Sequence, residues 1–335
     1  MRRYLSVRKG RALIDGFAGA RVLIIGDLIM DHFIWGTVRR ISPEAPVPVV
    51  DVTSESILLG GCANVVNNIH SLGGRCLVTG VIGRDDDGKR LVKALRERSI
   101  PTDGIFVDAG RPTTIKTRVI AHNQQVVRFD RENKKKISEG TCRKVLAYVK
   151  KTMKEVDVVV ISDYSKGLVS AGLVEEVTAL ARDAGKIVAV DPKVEHFDYY
   201  RGVTLVTPNN DEASRASAVE IEDEESLLRA GTRLRERLGC RAVLITRGEH
   251  GMSLFDGDDV THIPTVAKEV YDVSGAGDTV IGVMALALAA GAAMKEAAVL
   301  ANFAAGVVVG KVGTATVSPD ELAAALGAEF RRRRR

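Results

Sequence analysis

Asp272-Val-Ser-Gly-Ala-Gly-Asp278-Thr279 runs directly into the apolar stretch Val280 to Ala290, and the chain is read outward from that junction. Small residues at Gly275, Ala276 and Gly277 let the backbone turn sharply, and the Ala/Leu/Val segment behind them has the length and composition of a buried helix. A glycine turn on a helix N-terminus offers unpaired N–H groups and the positive end of the helix dipole to an anion. Asp278 adds a carboxylate beside it. That pairing suits phosphoryl transfer, in which amides hold the moving phosphate and a carboxylate takes the proton of the attacking hydroxyl. The other reading of the same residues is a glycine loop with Asp278 as an ordinary N-cap.

Regular alternation of strand and helix from residue 138 onward settles the fold class. Strands are expected at Val156–Ser162, Ile187–Asp191, Val203–Thr207 and Ala242–Thr246, with helices near 139–154, 170–184 and 222–238. Such alternation predicts a parallel sheet covered by helices on both faces. Arg21 to Gly26 is a further buried strand, followed by Asp27 and Asp31 where open α/β sheets place their ligands. Polar tips close the other strands: Asp163-Tyr-Ser-Lys166-Gly, Asp191-Pro-Lys193, Asn209-Asn-Asp-Glu212 and Thr246-Arg-Gly248-Glu-His-Gly251. Several such tips on one sheet edge describe a site.

Two stretches depart from this rhythm. Three prolines between Pro43 and Pro48 forbid helix and predict an extended edge or clasp, with an exposed strand from Val49 to Ile57. Thr113 to Ile120 alternates, which puts Lys116 and Arg118 on one face and Ile115, Thr117 and Val119 on the other. Together these predict a small sheet acting as a lid. The division expected is an α/β core over 1–36, 59–103 and 131–330, a lid over 37–58 and 104–130, and a basic tail over 331–335. Gly60 and Gly61 precede a helix from Val65, and Asn64 suits either a sugar hydroxyl or the helix cap.

With 335 residues, 45% hydrophobic and 27% charged, the chain is globular. Its +5 charge resides in Arg331 to Arg335, since the remaining basic residues match the 43 acidic ones. A neutral body with 4% aromatics speaks against a nucleic-acid binder. The apolar runs are too short and too broken to span a membrane, and the N-terminus has no export signal, so a cytoplasmic protein is expected. Cys62, Cys76, Cys142 and Cys240 show no metal or redox spacing.

These residues resemble the ribokinase-like (PfkB) carbohydrate kinases over roughly residues 20 to 327. Gly60-Gly61 with Asn64, Asn209-x-x-Glu212, Thr246-x-Gly248 and Asp272 to Asp278 carry the likeness in order. Arg40-Ile-Ser-Pro-Glu-Ala-Pro-Val-Pro-Val49, Ser162-Asp-Tyr-x-Lys-Gly167, Asp191-Pro-Lys193 and Asn123-Gln-Gln125 are similar to the branch that phosphorylates D-glycero-D-manno-heptose 7-phosphate. The resemblance implies a three-layer α/β/α fold with a mostly parallel sheet and a β lid. It implies ATP and Mg²⁺ as cofactors and leaves a monovalent-cation requirement open. It implies Asp278 as base, the amides of Gly275, Ala276 and Gly277 as anion hole, and Asp31, Gly60, Gly61 and Asn64 on sugar hydroxyls. Asn209 and Glu212 would order the magnesium through water, while Thr246, Gly248, Gly251 and Asn302 would line the nucleotide pocket.

A substrate that already carries a phosphate needs cations at its far end, for which Lys116, Arg118, Lys166 and Lys193 stand in suitable places, Lys193 and Arg118 foremost. A homodimer through the lid is expected. Many members of the branch continue into a nucleotidyltransferase domain with a His-x-Gly-His element that this chain lacks, which predicts a stand-alone kinase or a kinase half. Cys62 stands where the branch has Ala, so the sugar loop is expected to be sensitive to thiol reagents. Two other readings remain, a kinase of another sugar and a non-catalytic nucleotide or sugar sensor on the same fold.

Overall fold

Alternate residues of the strand Arg21–Gly26 enter two different cores. Val22 and Ile24 pack with one set of helices, Leu23 and Ile25 with another, and all four are fully buried. A strand covered on both faces must be apolar at every position, which is why this run lacks polar alternation. The structure, a computed structural model of the chain, describes residues 4–122, 124–267 and 269–332. Asn123 of the Asn-Gln-Gln stretch and the last three arginines of the expected tail lie outside the described residues.

In chain order the strands are β1 (Arg21–Gly26), β2 (Leu28–Ile41), β3 (Pro48–Gly61), β4 (Arg75–Ile82), β5 (Gly104–Val107), β6 (Thr114–Ala121), β7 (Gln124–Arg131), β8 (Val158–Ser162), β9 (Ile187–Asp191), β10 (Leu205–Val206), β11 (Ala242–Thr246), β12 (Met252–Asp256) and β13 (Asp259–Ile263). The helices are α1 (Val7–Gly16), α2 (Cys62–Ser71), α3 (Asp86–Glu97), α4 (Glu139–Thr152), α5 (Ala171–Asp183), α6 (Asn210–Ser217), α7 (Glu224–Leu238), α8 (Ala276–Ala289), α9 (Met294–Val308) and α10 (Pro319–Arg332).

The main sheet has nine strands in the order β13-β12-β11-β10-β9-β8-β1-β4-β5. It is parallel from β11 to β5, and β12 and β13 add an antiparallel edge. Residues of α1, α2, α8, α9 and α10 share one core with one face, and residues of α4 to α7 share the second core with the other. This is the three-layer α/β/α arrangement the sequence predicts. No helix among the described residues is long and apolar enough to cross a membrane.

A second sheet of four strands, β3-β2-β6-β7, forms the lid. Its boundaries differ from those expected. β2 starts at Leu28, with only Asp27 between it and the end of β1, so the second sheet is rooted at Asp27 rather than at 37. β5 pairs with β4 in the main sheet, so the lid's second part begins at β6 rather than at 104. The proline-rich segment is a hairpin tip, closed by the Ser42 amide donating to the Val47 carbonyl at 2.8 Å, and not a clasp along an edge. The period-two reading of β6 holds, since Ile115, Thr117 and Val119 are buried while Lys116 and Arg118 are half-buried on the opposite face.

Candidate active site

Asp278 lies in the first turn of α8, 5% exposed, at the carboxyl edge of the main sheet. Both carboxylate oxygens are engaged. The Asn64 side-chain amide donates to Oδ2 at 2.7 Å, and the Tyr164 hydroxyl donates to Oδ1 at 2.8 Å. Burial pushes the Asp278 carboxyl up to about 6, against the pull of those two donors and of Lys116, with Asp31 adding to the rise. A carboxyl tuned to that value is ionised at neutral pH and still a competent proton acceptor.

Backbone geometry fixes the turn before it. Gly275 caps α8 at φ 79°, and a Cβ there would stand 2.7 Å from the Asn64 Nδ2, so a side chain would be strained and would also push Asn64 off the carboxylate. A Cβ on Gly277 would meet nothing within 4 Å, as suits a residue facing a ligand. Among the described residues the amides of Gly275 and Gly277 have no acceptor, whereas the Ala276 amide donates to the Val273 carbonyl at 3.2 Å. The expected three-amide hole therefore has two open donors and one engaged in the turn.

Asn64 is not the cap that was one of its two expected roles. The cap of α2 is Gly61, and Asn64 is fully buried in the first turn of the helix, where it donates to Asp278. Asn68 donates to the Asn64 carbonyl at 2.9 Å and accepts from the Thr279 hydroxyl at 2.8 Å, so α2 and α8 are pinned together behind the carboxylate. Neither Asn68 nor Thr279 is singled out by sequence spacing; the residue pairs are more than 200 positions apart. Cys62 is also fully buried and its thiol is pushed well up by burial and by Asp27 and Asp278 nearby. This burial argues against the expected sensitivity to thiol reagents, because a buried neutral thiol is a poor nucleophile.

On the lid, Asp31 is 5% exposed and accepts from Arg118 Nη1 at 2.5 Å. A Cβ on Gly60 would fall 2.1 Å from Asp31 Oδ2, so Gly60 reserves the space of that carboxylate. Arg118 also lies 5.2 Å from the centre of the Phe33 ring. Lys166 pairs with Glu132 at 2.6 Å, and Lys193 with Glu212 at 2.9 Å. Lys116 differs from these three: among the described residues its ammonium has no carboxylate within 4 Å and instead lies 5.2 Å from the centre of the Tyr164 ring. Burial pulls its pKa down, aided by Lys166, Arg118 and Arg128 and opposed by Asp31. The sequence ranked Lys193 and Arg118 first among phosphate-binding cations; both are already paired, and Lys116 is the less engaged one.

Asn209 and Glu212 form a reciprocal cap on α6, with the Asn209 side chain accepting from the Glu212 amide and the Glu212 carboxylate accepting from the Asn209 amide. Asn209 bridges Thr246 in parallel fashion, which ties the tips of β10 and β11. Gly251 is buried in the turn to β12, where its carbonyl accepts from the Arg247 amide at 2.8 Å; Gly248 opens that turn. Asn302 is 3% exposed and donates to the Pro264 carbonyl at 2.9 Å, so it steadies the 264 loop instead of facing open space.

Asp191, named by the sequence only as part of a tip, is half-buried, and among the described residues its carboxylate makes no hydrogen bond. Burial pushes it well up, as do Asp278 and Glu212 across the same space, with Lys193 opposing. Carboxylates crowded in this way favour a nearby cation. Among the described residues no three His, Cys, Asp or Glu side chains converge to hold a metal by themselves. Asp191 and Glu212, two carboxylates near each other at this edge, fit the one or two protein oxygens that a Mg²⁺ held mainly by phosphates and water takes.

Residues 20–321 match the pfkB family carbohydrate kinases. A protein of Geobacter sulfurreducens named Bifunctional protein HldE is 49% identical over 322 residues, covering 96% of this chain and 66% of the relative. The protein of the same name from Geotalea uraniireducens is 50% identical, covering 92% and 63% respectively. The chain thus spans slightly less than two thirds of the length of these relatives. Among solved structures, Escherichia coli phosphofructokinase-2 in complex with potassium superposes with a TM-score of 0.76 at 21% identity, covering 92% of this chain and 99% of that one. Arabidopsis thaliana ribokinase complexed with ribose and ATP gives 0.72 at 20% identity, covering 92% and 98%. The α/β core and its second sheet share the fold of these solved structures, and the chain belongs to the pfkB family of carbohydrate kinases.

Proposed function

We propose that this kinase transfers the γ-phosphoryl group of ATP to O1 of D-glycero-β-D-manno-heptose 7-phosphate, giving the 1,7-bisphosphate used for the ADP-heptose of lipopolysaccharide cores. The observation that carries the reading is the position of Asp278, buried, tuned to about 6 and set behind the two open amides of Gly275 and Gly277. Asp278 takes the proton of the O1 hydroxyl as the bond to phosphorus forms and the bond to the β-phosphate oxygen breaks. The open amides and the α8 dipole stabilise the charge on the moving group. Mg²⁺, when bound with ATP, neutralises phosphate charge; Asn209 and Glu212 are the residues that would hold its waters. Asp31 stands at the sugar, oriented by Arg118.

The phosphorylated substrate is supported by the branch motifs of the sequence and by cations gathered over the site. Lys116 and Lys193 both approach the Tyr164 ring, at 5.2 and 5.6 Å from its centre, next to the base. Exposed apolar side chains on the lid, with Val52 56%, Val127 48% and Phe129 55% exposed, support pairing of two lids in a homodimer.

A coupled ADP-release screen over phosphorylated and free sugars tests the substrate. Heptose 7-phosphate should exceed free heptose in kcat/KM by at least tenfold. Equal turnover of the two would move the assignment to a kinase of an unphosphorylated sugar.

A further inference from the structure

Tyr164 touches every part of the site that must move together. Its hydroxyl donates to Asp278 Oδ1 at 2.8 Å. Its ring lies 5.2 Å from the Lys116 ammonium, carried by lid strand β6, and 5.6 Å from the Lys193 ammonium, carried by the tip after β9. Its backbone is held as well: Asp27 Oδ2 accepts from the Tyr164 and Lys166 amides at 3.0 Å each, and Oδ1 accepts from the Leu168 amide at 3.3 Å. Among the described residues the phenol donates to one acceptor, Asp278 Oδ1. Burial and the surrounding carboxylates, Asp278 first, push its own ionisation well up, so it remains a donor whenever Asp278 is charged.

We propose that Tyr164 is a positioning residue of the transfer reaction: its hydroxyl aims the Asp278 carboxylate while its ring seats the lid ammonium of Lys116, so that one side chain sets base and lid together. The proposal rests on Asp278 being the base. An ammonium over the ring face is attracted by the ring quadrupole, and the attraction strengthens where water is excluded. Lid closure over a sugar phosphate therefore acts on the residue that orients the base. Without the hydroxyl, the carboxylate keeps only Asn64 and is free to rotate about its remaining bond. The charged and titratable groups facing Asp278 are Asp31 on β2, Lys116 on β6, Tyr164 after β8 and Asp191 at the end of β9, with the Cys62 thiol on α2 behind it. Of these, Tyr164 alone donates a hydrogen bond to it.

The test uses the full chain with ATP, Mg²⁺ and heptose 7-phosphate. Tyr164→Phe should lower kcat about tenfold to thirtyfold, leave KM for ATP within about twofold, and move the acid limb of kcat/KM up by about one pH unit. A profile superimposable on the wild type would overturn the proposal. Lys116→Met should lower kcat in the wild type and have little further effect in Tyr164→Leu; additive effects in that cycle would overturn the link to the lid. Should Tyr164→Phe fold poorly, 2,3-difluorotyrosine at position 164 keeps the shape and sharpens the donor, and the limb should then move to lower pH. A substrate-free arm separates this from the substrate assignment: the Asp278 carboxyl, followed by pH-dependent thermal unfolding against Asp278→Asn, should titrate higher in Tyr164→Phe. No difference there would overturn the proposal even if heptose 7-phosphate proves a poor substrate. An active Asp278→Asn enzyme would instead sink the base role on which both readings stand.

Discussion

Moving the Asp278 carboxyl up to about 6 gives the folded protein a proton that the unfolded chain releases near the ordinary value of 3.8. The folded state binds more protons through that interval, so the contribution to stability is full below about 4 and is lost as pH rises through about 6. A rise of that size corresponds to roughly 3 kcal/mol. Asp278→Asn should therefore gain thermal stability relative to the wild type as pH is raised from 4 to 8, while its kcat falls by about 10²-fold or more. A mutant that loses activity without that pH-dependent gain would show that the carboxyl is not buried as described. With Asp278 as the proposed base, the same ionisation should set the lower limb of the wild-type rate profile, so that kcat/KM climbs through pH 6. Cys62 gives a second check at this scale: a thiol reagent at neutral pH should leave it unmodified until the protein unfolds, as intact-mass measurement would read. The sequence could place Asp278 and its glycines, because a turn, a helix and a carboxylate in one octapeptide are local chemistry. It could not show Asn64 or Tyr164 at the carboxylate, because these partners lie 214 and 114 residues away.

The junction of turn and α8 decides how rigidly the base is held. Gly275→Ala places a side chain at φ 79° and 2.7 Å from Asn64, so the helix start must shift or Asn64 must let go. We expect a loss of about 1–3 kcal/mol in stability and at least tenfold in kcat, measured by denaturant unfolding and steady-state kinetics. Gly277→Ala, where the Cβ meets no protein atom, should leave stability near the wild type and impair turnover. Elements as such were readable wherever the period was clear: β1, β9, β11 and the helices near 139, 170 and 222 fall within a few residues of expectation. Helix α6 was missed because its eight residues, mostly polar, carry no apolar stripe. The β12–β13 hairpin was missed because its antiparallel return breaks the βα rhythm on which the reading relied. Asn209 and Glu212 were read as ligands from the family motif, and the same two residues also make a helix cap, two uses that a motif alone does not separate.

At the scale of the molecule, core and lid meet through short connections rather than a linker. β1 passes into β2 across Asp27 alone, and β3 passes into α2 at Gly61. Residues beside these roots act on one carboxyl group, Asn64 donating to Asp278 and Asp31 adding to its raised pKa, so lid and carboxylate cannot be placed independently. This was not legible from the sequence, where the composition change near residue 37 stands out more than the true root at 28. β7 forms one edge of the lid sheet and is exposed along its whole length, including Val127 and Phe129. If lids pair, Phe129→Asp should yield monomers in sedimentation while leaving the fold intact by circular dichroism; an unchanged mass would place any self-association elsewhere.

The carboxylate of Asp27 collects three amides from one surface loop, those of Tyr164, Lys166 and Leu168. Loops beside a binding cleft ordinarily give up their amide protons to solvent among the first in a protein. Here the three N–H groups point at a buried carboxyl group that meets water only when the sheet edge itself opens. In deuterated solvent this trio should exchange on the slow timescale of β1 and β8, and Asp27→Ala should release all three at once. The loop thus carries a built-in clock for the opening of the cleft, readable before any sugar or nucleotide is added.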